Sequence, residues 1–213
     1  MGGSGYVHYG KEGSEAIQCS DGSKWEDGEI AKLGRSLTRE FERAETIRKH
    51  YPKISEFAIL PTRVCDASED AYTAYVESQP DSDTKMMLTT FTEGKPEILF
   101  APYGGDSVLA LLTSRDYGDR DTFVKAIQTL RDQVREMNNH RVYHFDIGVP
   151  NVVYKKEEGK AYLIDFGMAS ILPDDEELEG EPDMEMMDDM VATVSRLKPK
   201  QGARRKSFQA KRK

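Results

Sequence analysis

The chain has 213 residues, of which 38% are apolar and 32% charged, with a formal net charge of −8. That length holds one domain or two small lobes with a substantial core, and the apolar runs that recur along the first 170 residues exclude wholesale disorder. No run approaches the roughly 18 apolar residues of a bilayer span, Met1-Gly2-Gly3-Ser4-Gly5 lacks the basic start and apolar centre of a secretion signal, and two cysteines, Cys19 and Cys65, predict no disulfide framework, so an intracellular, soluble protein is expected.

In chain order, aromatic and β-branched residues around Gly10 and Gly13 predict two short strands within 6–19, joined by a glycine turn, and a third strand over 28–33. Residues 36–50 start on Ser, place Leu37, Phe41, Ala44 and Ile47 at helical spacing and stop before Pro52, the pattern of an amphipathic helix. Short strands are expected at 57–60, 72–76, 86–91 and 97–100. After Gly104-Gly105 the pattern becomes helical: a short helix at 107–112 and a long one at 121–138, with Phe123, Ala126, Ile127, Leu130, Val134 and Met137 on one face. A β insert is expected at 152–164, then an acidic solvated loop at 173–182 and a helix at 184–197. The expected fold class is therefore α+β, a β-rich first half (1–103), a helical second half (104–195) and a basic segment (196–213).

Two motifs carry chemistry. His144-x-Asp146-x-x-x-x-Asn151 has the spacing of a phosphotransferase catalytic loop, and Asp165-Phe166-Gly167 comes after it across the expected 152–164 hairpin. Transfer of a γ-phosphoryl group needs its charge offset by Mg²⁺, a hard cation that takes oxygen ligands, and the Asn151 carbonyl with the Asp165 carboxylate suits it. A separate carboxylate must take the acceptor's proton, the role that falls to Asp146, with His144 bracing the loop. Alone, either motif is more often a structural loop or turn; together and in this order they point to one site.

With these residues the chain resembles the protein-kinase superfamily, and in particular the small serine/threonine kinase-like proteins of large nucleocytoplasmic DNA viruses. The segments Ile30-Ala31-Lys32-Leu33 and Pro102-Tyr103-Gly104-Gly105, with the charged helix between Arg39 and Arg48, belong to the resemblance. It implies a two-lobed fold with a β-rich N-lobe and a truncated helical C-lobe, ATP and Mg²⁺ as cofactors, a protein substrate, and a place in the host cytoplasm, nucleus or virion. Lys32 is then the anchor for the α- and β-phosphates and pairs with an acid of the next helix. Glu40 is that acid, because Ala44 and Ile47 at i+4 and i+7 put it on the inward face. Gly10 and Gly13 are the candidate phosphate loop, or an ordinary hairpin turn, and Asp106 is a candidate ribose contact. Asp188 or Asp189 is expected to be the buried acid beneath the catalytic loop. Gly148 stands where protein kinases carry a lysine, and no Ala-Pro-Glu comes after Asp165-Phe166-Gly167. An inactive scaffold of the same fold and a small-molecule phosphotransferase are therefore the alternatives.

From Arg196 onward there are nine Lys or Arg and no acid, which leaves 21 basic against 38 acidic residues before it, a net of −17. An acidic body repels nucleic acid, so any such contact falls to the segment 196–213, which also reads as a nuclear signal or as a tail that docks on the chain's own acidic stretch.

Overall fold

In the computed structural model the described residues are 6–9 (backbone), 19–23, 26, 28–78 and 94–198; the glycine turn with Gly10 and Gly13, the strand expected at 86–91 and the basic stretch past Lys198 lie outside them. The fold is α+β. Strands β1 (Tyr6–Tyr9), β2 (Glu29–Arg35), β3 (Arg63–Asp66) and β4 (Pro96–Pro102) form an antiparallel sheet in the order β1-β2-β4-β3. Side chains alternate across a strand. Ala31 and Leu33, opposite Phe100 and Ile98, bury on one face in a small core with Tyr72 and Val76, which leaves Lys32, opposite Leu99, on the other face.

Helix α1 (Leu37–His50) buries Leu37, Glu40, Ala44 and Ile47, spaced by three and four residues, so the expected helix is present with Glu40 inward. Its start lacks a cap of its own: Ser36 sits at φ 59° and makes no side-chain cap bond. The buried Glu97 of β4 supplies one instead, accepting from Thr38 N at 2.8 Å and from Thr38 Oγ1 at 2.6 Å.

Two expected strands are corrected. Residues 69–78 form helix α2 (Glu69–Ser78), because Glu69 and Asp70 favour a first helical turn and the buried Tyr72 and Val76 are four apart, a helical rather than a strand period. Residues 57–60 extend a 3-10 turn (Pro52–Glu56), and only Ala58 bridges another strand, parallel to Leu163, before Pro61 removes a donor. β3 was not expected; its sequence Arg-Val-Cys-Asp shows no apolar–polar alternation, and Arg63 packs its guanidinium over the Phe100 ring at 3.6 Å.

The absence of a disulfide is also corrected. Cys19 and Cys65 are bonded across 46 positions, with Cα atoms 5.7 Å apart, and Ser20 N donates to Asp66 O at 2.8 Å beside them. Spacing alone could not pair them, since the sheet brings them together. Chain-entropy reasoning for a loop of this length puts the stabilisation at roughly 4 kcal/mol. Reduction with dithiothreitol is expected to lower the melting temperature by about 8–16 °C, read by circular dichroism with Cys65→Ser as the matching variant; an unchanged melt would show that the bond carries no stability.

Sheet gives way to helix at Pro102-Tyr103-Gly104-Gly105. Tyr103 N donates to Gly28 O at 2.7 Å, and Gly105, at φ +105°, lies so close to the backbone of Tyr154 that an added Cβ would stand 2.3 Å from its carbonyl oxygen. Both the dihedral and the contact exclude a side chain. Gly105→Ala is expected to cost about 2 kcal/mol or more, a fall of about 4–8 °C in melting temperature.

Beyond it come β5 (Asp106–Ser107), α3 (Val108–Ser114), α4 (Arg120–Asn139), β6 (Val142–Tyr143), β7 (Val152–Lys155), β8 (Lys160–Leu163), β9 (Ser170–Ile171) and α5 (Pro182–Ser195). Ser107 and Asp119 cap α3 and α4 by accepting from Ala110 N and Thr122 N. α4 buries Phe123, Ile127, Leu130, Val134 and Met137, and α5 lays Met187, Met190 and Val194 into the same core. β5-β7-β8 and β6-β9 form two small antiparallel sheets between them. No helix among the described residues is long and apolar enough to cross a membrane.

Candidate active site

A cleft of about 250 Å³ lies between the four-stranded sheet and the loops before and after the β7–β8 hairpin. Its apolar lining comes from Ile30, Ile59, Leu99, Ala101 and Ile164, and its polar lining from Lys32, Glu40, Asn151 and Asp165. Apolar walls with a few convergent polar groups are the general form of a small-molecule site.

Lys32 is the centre of the polar cluster. Its Nζ lies 2.8 Å from Glu40 Oε2 and 3.2 Å from both Asp165 oxygens, so one ammonium serves a helix, a strand and a loop. Burial alone would lower the Lys32 pKa, but the carboxylates of Glu40 and Asp165 outweigh it and leave it raised. Glu40 is pushed up, first by burial and then by the nearby Asp165, with Lys32 opposing. The two directions agree with a cluster of two acids on one base.

Asp165 is held in an uncommon backbone state for a non-glycine residue, φ 62° and ψ 72°, and Gly167 N donates to its Oδ1 at 3.3 Å. The next residue, Phe166, is buried against the His144 ring at 4.7 Å. His144 is itself fully buried; its Nε2 donates to Ile164 O at 3.0 Å and its Nδ1 accepts from Asp146 N at 3.3 Å. Burial lowers its pKa and keeps the ring neutral, which fits one ring nitrogen donating and the other accepting.

The acid beneath the loop is neither Asp188 nor Asp189. Both are exposed, and Asp188 pairs with Arg131. Asp183, fully buried in the first turn of α5, accepts from His144 N at 2.7 Å, Phe145 N at 2.8 Å and Asn138 Nδ2 at 3.0 Å. Phe145, at φ 61°, turns two successive amides toward one carboxylate. Pro182, a helix-starting residue just before an acid and the apolar Met184, was the available signal.

Asn151 Nδ2 donates to the backbone oxygen of Asp146 and to its Oδ2, both at 2.9 Å, leaving the Asn151 side-chain Oδ1 without a hydrogen bond among the described residues, while its backbone oxygen accepts from Ile164 N at 3.0 Å. Lys32, Glu40, Asn151 and Asp165 thus meet in the cleft, and Asp146 is tied to its rim. Asp106 does not line it: Tyr103 OH donates to Asp106 at 3.0 Å, and Lys156 Nζ is 3.7 Å away. The carboxylates of Glu40 and Asp165 outnumber the single ammonium between them. Among the described residues no group of three His, Cys, Asp or Glu is arranged to hold a metal on its own. Asn151 and Asp165 fit the other arrangement, in which Mg²⁺ takes two protein oxygens and completes its shell with water and phosphate.

No family model and no curated protein sequence matches the chain. Among solved structures it is similar to the Cydia pomonella granulovirus kinase PK-1, at 14% identity and a TM-score of 0.42 over 72% of this chain and 49% of that one. The chain spans about half the length of that kinase.

Proposed function

We propose that the chain has a kinase-like fold and catalyses ATP- and Mg²⁺-dependent phosphoryl transfer, with a protein serine or threonine hydroxyl as acceptor. The observation that carries this reading is the single Lys32 ammonium shared between Glu40 and Asp165 across the cleft from Asn151. An ion pair that takes the Glu40 carboxylate and the Lys32 ammonium out of water contributes little to stability by itself, whereas a charged clamp of this form, open to solvent at Asp165, is what polyphosphate recognition requires.

In this reading the adenine occupies the apolar part of the cleft between Ile30, Leu99, Ala101 and Ile164. Lys32 holds the α- and β-phosphates, and Glu40 fixes the lysine's position. Mg²⁺, when bound, offsets the charge that develops on the transferring phosphoryl group, and Asn151 and Asp165 are the residues that would hold it. Asp146, exposed at the rim and oriented by Asn151, accepts the proton of the attacking hydroxyl. His144 and Asp183 keep that loop in register from beneath. Gly148, in place of a lysine, leaves this rim without the cation that protein kinases usually add, and slow turnover is the expected consequence.

The test is the melting temperature with and without Mg²⁺ and ATP. Ligand at about 100 times its dissociation constant adds roughly 2.7 kcal/mol, a rise of about 5–11 °C for a chain of this size. The rise is expected to need Mg²⁺ and to shrink in Asp165→Asn; no shift at millimolar ATP would defeat the reading.

A further inference from the structure

A larger groove, about 980 Å³, shares no lining residue with the cleft. One wall is α4, whose Asp121, Lys125, Thr129 and Gln133 recur every four residues and form a single stripe about 18 Å long at 1.5 Å per residue. The other wall is the β7–β8 hairpin and the 3-10 turn that ends at Glu56. At one end Gly159 approaches Thr122, where an added Cβ would stand 3.1 Å from Thr122 Cγ2; at the other, Leu163 N donates to Phe57 O at 2.9 Å. The groove therefore has a charge sequence along its length. Asp121 and Glu158 come first, Lys125 and Lys160 next, and Glu56 last, the last with no ion pair among the described residues.

The chain leaves the described structure at the first of these ends. Arg120 donates to Leu197 O at 2.6 Å and to Ser195 O at 2.7 Å, and the same guanidinium holds Asp121 at 2.6 Å, so one side chain separates the exit from the groove wall. Tyr117 OH donates to Lys198 O at 3.4 Å beside it. The chain continues as Pro199-Lys200-Gln201-Gly202-Ala203-Arg204-Arg205-Lys206. An extended chain advances about 3.3 Å per residue, so the span from Lys200 to Arg205 matches the length of the stripe.

We propose that residues 199–206 bind in this groove, running parallel to α4. Lys200 meets Asp121 and Glu158, the uncharged Gln201-Gly202-Ala203 passes Lys125 and Lys160, and Arg204-Arg205-Lys206 reaches Glu56. The order of charges in the segment, positive then neutral then positive, complements the order in the groove, negative then positive then negative. The acidic stretch 173–182 is the rival seat. It carries more charge, but Arg141 ties its start through Pro173 O and Glu176 O, and nothing places the exit of α5 beside it.

The proposal is independent of phosphoryl transfer and is tested on the full chain. A nitroxide on Ser207→Cys is expected to erase most of the amide NMR intensity of Glu56, Thr129 and Gln133 relative to a diamagnetic label. Glu56→Lys, a reversal on an exposed turn that leaves the core untouched, is expected to restore that intensity, whereas Glu176→Lys is not. Broadening that persists in Glu56→Lys, that falls on 173–182, or that spreads evenly over the surface would overturn the assignment.

Discussion

Asp146→Asn is expected to lower phosphoryl transfer by about 10²- to 10⁴-fold, the usual contribution of a positioned general base, while the melting shift induced by Mg²⁺ and ATP stays as in the natural chain. The separation comes from geometry. Asp146 is exposed at the rim, bonded to Asn151 Nδ2, and is not among the groups that line the cleft, whereas Lys32 and Asp165 are. Lys32→Met is expected to remove the nucleotide-induced shift as well, because it takes away the charge that holds Glu40 and Asp165 together. The measurement is transfer of radiolabelled γ-phosphate to a protein acceptor, run beside the melts. Unchanged transfer in Asp146→Asn would assign the proton to another group. Nucleotide binding with no transfer in the natural chain would favour the scaffold alternative, for which Gly148 is the motivating residue.

Asp183→Ala is expected to rank with loss of the disulfide as the most destabilising single substitution outside the apolar core. The carboxylate is fully buried and accepts three hydrogen bonds, two of them from the successive amides of His144 and Phe145. Removing it strips the acceptor from the two loop amides and leaves Asn138 Nδ2 with Val142 O alone, a cost of about 3–5 kcal/mol by analogy with broken buried charge networks. For this chain length the melting temperature falls by roughly 6–20 °C. Asp188→Ala, which removes an exposed partner of Arg131, is the control and is expected to change stability by less than about 1 kcal/mol. Equal effects of the two substitutions would show that Asp183 does not support the loop.

The residues that sequence reasoning placed best are those whose neighbours in space are also neighbours in the chain. His144, Asp146 and Asn151 share one loop, Asp165 to Gly167 one turn, and the inward face of α1 identifies Glu40 by its spacing from Ala44 and Ile47. Asp183 was missed because several acids crowd the start of α5 and only its packing on α4 decides which one reaches His144 and Asn138. The Cys19–Cys65 bond and β3 were missed for a related reason: each depends on how the sheet closes, over tens of residues, and leaves no local pattern. At 72–76 the error was of another kind. β-branched and aromatic residues suggested a strand, and the burial of Tyr72 and Val76 four positions apart imposed a helix.

Glu97 has a consequence for how the molecule can be switched. It sits on β4, the strand paired with the one that carries Lys32, and it grips the first turn of α1, the helix that carries Glu40. Sheet and helix are therefore riveted at a point only a few residues from each member of the ion pair. Rotating α1 outward to part Glu40 from Lys32 would first have to strip two short bonds from a buried carboxylate. Lys32 and Glu40 are thus pinned together from both sides, and a swinging α1 is not the expected means of control over the proposed activity.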